Sequence, residues 1–248
     1  MKKNFFLFSL SLSLLLTGCL ETTQEITINA DGSGMLTNTN DMSALMSMIK
    51  QVAGKEGAKF DDGAIDTTLS LSSQADSIVN VTPEEKEMIK KGSLILKMKE
   101  DAFIIGIKFP FASMSEINVY NDLTNKIMYE TIKNELGNTE MAGLEDMPPP
   151  TSIEDYFTTS FSSGSLVKTL NKEKYAKIAD DEFLKGMKES ATMGLPMTAT
   201  YIINLPKPAK IAEGKNLKLS EDKKRVTIVA NIDDFYDDPT KLEYKIEY

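Results

Sequence analysis

The chain of 248 residues contains no histidine and no tryptophan, and it has a single cysteine, Cys19, and a single arginine, Arg225. Each scarcity removes a class of chemistry. Without histidine there is no Ser/His/Asp or Cys/His nucleophile pair and no histidine-bearing metal centre. One cysteine cannot close an internal disulfide or build a cysteine-cluster zinc or iron–sulfur site. One arginine leaves little scope for bidentate clamps on anions. Lysine and arginine number 28 against 37 aspartate and glutamate. The clustered positive charge that holds nucleic acid is therefore missing, and no nucleic-acid partner is expected. What is present is a globular composition, with 41% hydrophobic and 26% charged residues. That is enough to bury a core in one large domain or two small ones.

The first stretch, MKKNFFLFSLSLSLLLTGC, has a positive start at Lys2 and Lys3 and an apolar run from Phe5 to Leu16 of 12 residues. A bilayer-spanning helix needs about 20 apolar residues, so this run fits a secretory signal peptide instead. It ends on Leu16-Thr17-Gly18-Cys19, which resembles the lipobox of bacterial lipoproteins. The resemblance implies cleavage between Gly18 and Cys19, a diacylglycerol on the Cys19 sulfur, and a further fatty acyl group, commonly palmitate, on the new N-terminus. The alternatives are an ordinary signal peptide with an incidental cysteine near the cut, or a buried helix with an inert cysteine. Two or three acyl chains at about 0.8 kcal/mol per buried CH₂ anchor stably where one does not. The mature chain would carry 26 basic and 37 acidic residues, net −11. An anionic surface would repel it, so the lipid must hold it. Leu20 rather than Asp after the cysteine points to the outer membrane, facing the periplasm.

Residues 1–18 are thus expected to be a signal peptide and 19–248 a single α+β envelope domain, with a subdomain break possible near 137–153. Gln24 to Ala30 alternates as a half-buried strand, Asp31-Gly32-Ser33-Gly34 is a turn, and Met35 to Thr39 returns as a second strand. Met42, Leu45, Met46, Ile49 and Val52 recur at helical spacing up to Gly54, capped by Asn40 or Asp41. A loop follows, then a short strand at 65–71. Thr82-Pro83-Glu84-Glu85 starts a helix that Lys91-Gly92 ends. Ser93 to Lys99 and Phe103 to Phe111 form a hairpin. A long helix follows, capped by Ser113 or Ser115 and closed by Gly137, with Ile117, Tyr120, Ile127, Met128, Ile132 and Leu136 along it. Beyond the Pro148–Pro150 linker comes a third hairpin, 156–161 with 165–170. Asn171 then caps a helix reaching toward Gly194. Thr198 to Leu205 is a strand, and Leu217–Leu219 with Arg225–Ile232 is a hairpin. A helical turn at 233–239 and a strand at 242–246 finish the chain. The pattern predicts an α+β fold: antiparallel sheet built from successive β-hairpin–helix units, with helices packed on one face.

Several constellations invite a chemical reading. Asp233, Asp234, Asp237 and Asp238 form the densest acidic cluster and are the weak candidates for a Ca²⁺ or Mg²⁺ site or an acid/base pair; a solvated, capped turn is the plainer reading. The pairs Asp61-Asp62 and Asp180-Asp181 are weaker still. Asp31-Gly32-Ser33-Gly34 lacks the ligand spacing of a calcium loop. Ser47 with Lys50 and Ser165 with Lys168 match Ser-x-x-Lys spacing in letter only. The 14 methionines suit either core packing or an adaptable apolar groove. No catalytic or metal residue is therefore expected, and no cofactor beyond the lipid on Cys19.

Two stretches carry a wider resemblance. Ile26-x-Ile28-x-x-Asp31-Gly32-x-Gly34 and Tyr201-Ile202-Ile203-Asn204-Leu205-Pro206 look somewhat like the LppM-like bacterial lipoproteins. These have an early strand, Asp-Gly turn and strand, and a later strand ending in Leu-Pro. The resemblance implies a mixed α/β envelope domain with a curved sheet, an apolar cavity and lipid binding. Lys207 stands where a Gly often follows, and no functional residue carries over. The expected protein is non-enzymatic, held to the membrane by Cys19 and binding an envelope lipid, peptide or protein. The alternatives are a structural subunit of an envelope complex and a carboxylate- or metal-dependent hydrolase.

Overall fold

The computed structural model describes residues 20–44, 64–79, 81–99, 102–136, 151–192 and 197–248, the side chains of Leu20 and of 129–136 excepted. Strand β1 (Leu20–Ile28) turns into β2 (Gly34–Asp41). At the turn Gly32 has φ +86°, a conformation glycine takes without strain. The Asp31 carboxylate closes the turn by accepting from the Ser33 amide at 3.0 Å and its hydroxyl at 2.7 Å. Gly34 leaves no room for a Cβ beside the Thr27 carbonyl and the Phe111 ring. The hairpin expected from Asp-Gly-Ser-Gly is therefore present, with β1 starting at Leu20.

Next come β3 (Ile65–Ser70), helix α1 (Pro83–Lys90), β4 (Ser93–Lys99), β5 (Ala102–Phe111) and helix α2 (Glu116–Leu136). Helix α1 starts at a full capping box. The Thr82 hydroxyl accepts from the Glu85 amide at 3.2 Å, and the Glu85 carboxylate accepts from the Thr82 amide at 2.7 Å. Ahead of α2 the Ser113 hydroxyl accepts from the Ser115 amide at 3.4 Å, and the Glu116 carboxylate accepts from the Ala112 amide at 2.7 Å. The chain continues through β6 (Phe157–Ser162), β7 (Ser165–Leu170), α3 (Lys172–Tyr175) and α4 (Glu182–Thr192). Then follow β8 (Met197–Asn204), β9 (Ile211–Glu213), β10 (Leu217–Leu219), β11 (Arg225–Asn231), α5 (Ile232–Asp237) and β12 (Tyr244–Glu247).

The strands form two sheets. The larger has eight, in the order β10-β11-β8-β1-β2-β5-β4-β3, and the smaller has four, β6-β7-β12-β9. Pairing is antiparallel except between β1 and β8, which run parallel with Ile26 opposite Ile203. One face of the large sheet carries Ile26, Ile28, Leu36, Ile107, Phe109, Phe111, Ile203, Val226 and Ile228, all buried. Onto it pack Ile117, Tyr120, Leu123 and Ile127 of α2, together with Leu166, Tyr244 and Ile246 of the small sheet. Phe109 and Tyr120 stack with ring centres 4.5 Å apart. A second cluster gathers Tyr156, Phe157, Leu184, Ile232, Phe235 and Leu242.

Three expectations differ from the structure. The helix expected from Asn171 onward is broken: α3 ends at Tyr175, a 3₁₀ turn occupies Ile178–Asp180, and α4 restarts at Glu182. The cause is Asp181, which is extended (φ −85°, ψ 95°) and whose carboxylate caps the restart at the Leu184 amide, 3.0 Å away. Strand β9 is additional. The parallel β1–β8 pair breaks the purely antiparallel pattern. The helix expected at 42–54 lies outside the described residues from residue 45 on, as do 137–150 with the proline run.

Candidate functional site

Alternation places residues 22, 24, 26 and 28 of β1 on one face of the strand, and residues 36, 38 and 40 on the same face of β2. The register agrees: Ile26 lies opposite Leu36, Gln24 opposite Asn38, and Thr22 opposite Asn40. The inner face thus changes chemistry along its length, from isoleucine and leucine to amides and hydroxyls. Helix α2 changes in parallel. Ile117, Tyr120 and Leu123 meet the apolar part, whereas Asn121, Thr124, Asn125 and Met128, at helical spacing, face the amides.

Between them lies a cleft of about 160 Å³. A hydrogen-bond network crosses it. The Gln24 Nε2 donates to Asn38 Oδ1 at 3.1 Å and to Asn121 Oδ1 at 3.0 Å. Asn38 Nδ2 donates to the Thr124 hydroxyl at 3.2 Å, and that hydroxyl donates to the Tyr120 carbonyl at 2.8 Å. Thr22 donates to Asn40 Oδ1 at 2.9 Å. Asn38 and Thr124 are buried, at 9% and 7% exposure, and fully satisfied burial of this kind fixes side-chain orientation. Ala199, Thr200 and Tyr201 of β8 close one side.

The far wall is Glu154, on a 3₁₀ turn (Ile153–Tyr156) capped by Ser152. Its carboxylate accepts from Lys168 Nζ at 2.6 Å. Lys168 is only 2% exposed while Glu154 keeps 23%. The ammonium also sits 4.6 Å from the Phe157 ring centre and 4.4 Å from that of Tyr201. Burial, and then the Glu154 carboxylate, push the Tyr201 hydroxyl pKa well above its ordinary value. The wall is therefore a neutralised ion pair beside a protonated phenol.

The acidic turn is arranged differently. Asp234 accepts from the Asn231 amide at 3.3 Å and pairs with Lys241, while its own amide is capped by Asn231. Asp238 pairs with Lys215 at 2.9 Å and accepts from Thr240. Asp233 and Asp237 point outward and are exposed. Among the described residues no group of three histidine, cysteine, aspartate or glutamate side chains comes together as metal ligands. Asp181 accepts from the Tyr156 hydroxyl at 2.7 Å. Ser165 and Lys168 lie three apart on β7 and so point to opposite faces. Of the methionines, Met114 is buried in the core at 4% exposed, whereas Met128 is half-buried and lines the cleft. Cys19, Gly18, Asp61, Asp62, Ser47 and Lys50 lie outside the described residues. Among the described residues no helix is long and apolar enough to cross a membrane.

Apart from Met128 and Tyr201, the cleft residues stand in no sequence motif. A signal was nonetheless present: Gln24, Asn38 and Asn40 fall in phase with the apolar Ile26, Ile28 and Leu36 of the same strands.

No family model matches the chain, and no curated protein matches it. Among solved structures it is similar to the folded domain of LppM from Mycobacterium tuberculosis, determined by NMR, with TM-score 0.36 and 8% identity over 92% of this chain and 90% of that one.

Proposed function

We propose that this chain is a bacterial envelope lipoprotein, anchored through an acylated Cys19, whose α+β domain binds a partner and performs no catalysis. The observation that carries the reading is Leu16-Thr17-Gly18-Cys19 followed at once by β1, whose first residue is Leu20. In this reading the anchor leads straight into the middle of the large sheet. A binding role is supported by the cleft, which collects amides and hydroxyls on one face without a nucleophile–base pair. The expected location is the outer membrane, facing the periplasm.

The test of the anchor is Cys19→Ala. The wild type should incorporate radiolabelled fatty acid and fractionate with membranes; the variant should lose the label and move to the soluble fraction. Equal labelling of both would refute the assignment. Native mass spectrometry of the protein from its own host then separates a co-purified ligand from a stoichiometric protein. The latter would favour an assembly subunit, for which the edge strand β3 offers Ile65 and Leu69, 39% and 42% exposed.

A further inference from the structure

We infer that the cleft between α2 and strands β1, β2 and β8 is a binding site for one unit of an uncharged saccharide. The inference deepens the binding role proposed above and rests on that part of it; it is independent of the anchor.

The hydrogen-bonding capacity of the cleft is only partly used. Gln24 spends both of its bonds through Nε2, leaving Oε1 without a partner among the described residues. Asn121 and Asn40 are used through Oδ1, leaving Nδ2 in each case. The side chains of Asn125 and Thr200 make no hydrogen bond among the described residues. Donors and acceptors are thus interspersed, which suits hydroxyl groups, since each can give one bond and accept two.

Charge selects further. The only carboxylate on the wall among the described residues, Glu154, is already paired with Lys168. A phosphate or carboxylate ligand would meet neutral amides without a compensating cation, at a cost in desolvation. An extended peptide is disfavoured for another reason. Strands β1, β2 and β8 each have neighbours on both sides, so no free edge is available for strand addition. Size completes the argument: 160 Å³ is close to the ~150 Å³ cavity that accepts one benzene ring and well below the roughly 300 Å³ at which drug-sized pockets begin. The open cleft can seat one ring face, with part of the saccharide unit left outside its mouth, and it does not hold an acyl chain. The network also pre-organises the site, because Gln24 is held by both Asn38 and Asn121 before any ligand arrives.

The same chemistry could be presented by a free oligosaccharide or by a glycolipid headgroup, and the experiment separates them. The full-length protein, purified in detergent, is tested by ligand-observed NMR against maltotriose, chitotriose and the anionic trigalacturonate. It is also tested by co-flotation with vesicles carrying digalactosyldiacylglycerol. The inference expects at least one neutral probe to bind at millimolar concentration and trigalacturonate not to. Greater flotation with these vesicles than with glycolipid-free vesicles of otherwise equal composition, without binding of a soluble probe, assigns the headgroup, since the acyl anchor alone floats with both; binding to a soluble trisaccharide assigns a free glycan. Asn125→Ala, on an exposed position that the fold does not use, and Asn121→Ala should each weaken the bound probe about 2- to 10-fold, while Asp233→Ala leaves it unchanged. Binding of no neutral probe, equal binding of trigalacturonate, or indifference to both asparagine substitutions overturns the inference. A protein or lipid found by native mass spectrometry alongside such a negative result would preserve the binding role and discard the saccharide.

Discussion

The two ends of one sheet face differ more than the two sheets do. Toward the first turn, β1 and β2 present Ile26, Ile28 and Leu36, all at most 4% exposed and covered by Ile117, Tyr120 and Leu123. Toward the start of β1, the same strands under the same helix present Gln24, Asn38, Thr22 and Asn40. Backbone, pairing and register are continuous across the change, so only side-chain chemistry distinguishes the ends. Apolar burial is the main source of folding free energy, whereas a buried polar network gains little net once its desolvation is counted. The apolar end therefore holds the fold, and the amide end is a place where stability was not the governing requirement.

The strongest way to break the apolar end is Phe109→Ala. The ring is fully buried and stacked on Tyr120, so its loss should destabilise by about 3–5 kcal/mol, read as a large drop in denaturant midpoint. The next effect lies at the boundary of the cleft. Glu154→Gln leaves the Lys168 ammonium, 2% exposed, without its counter-charge, and should cost about 3–5 kcal/mol. Lys168→Met should cost less, because Glu154 keeps contact with water. Equal losses in the two variants would show that the pair is more open than the geometry indicates.

Two smaller changes sharpen the contrast. The Tyr120 hydroxyl is buried and has no hydrogen-bond partner among the described residues, so Tyr120→Phe should stabilise by roughly 1 kcal/mol. Burial first, and Glu116 second, raise the Tyr120 pKa from 10.0 to about 12. A raised folded pKa means that the contribution is whole below pH 10 and is lost as the pH climbs through 12. Alkaline unfolding followed by phenolate absorbance should therefore be less steep in the Phe variant. The smallest effect is expected from the double change Gln24→Leu with Asn38→Leu. The two bonded partners are replaced together, Thr124 keeps its bond to the Tyr120 carbonyl and Asn121 opens to the cleft, so little is left unsatisfied and Tm should move little while saccharide binding disappears. A loss as large as that of Phe109→Ala would show that the amide end is structural after all.

What the sequence made legible follows from how local each signal is. The β1–β2 hairpin, the α1 start at Thr82 and the β4–β5 hairpin announce themselves within a few residues, because turn and cap chemistry is decided by immediate neighbours. Asp181 reads as half of an acidic pair, yet its local effect is to restart a helix. Strand β9 is three residues long and exists through pairing with β12, so nothing near Ile211 declares it. The division into two sheets and the parallel β1–β8 pair depend on chain segments far apart. The cleft was half legible. Alternation puts Gln24 and Asn38 on the inner face, but the partners Asn121 and Thr124 become visible only when α2 is laid across it.

The parallel pair also sets an order of events for folding. β1 can meet β2 through a tight turn, with Gln24 and Asn38 only 14 positions apart. On its other side Thr27 meets Asn204 across 177 positions. Loop-closure entropy makes the second encounter roughly 2 kcal/mol more costly than the first. During vectorial synthesis or translocation the early hairpin must wait, one edge of its central strand open, until the last quarter of the chain arrives. Long-range closure of this kind slows folding and leaves an interval in which the open edge can pair with the wrong strand.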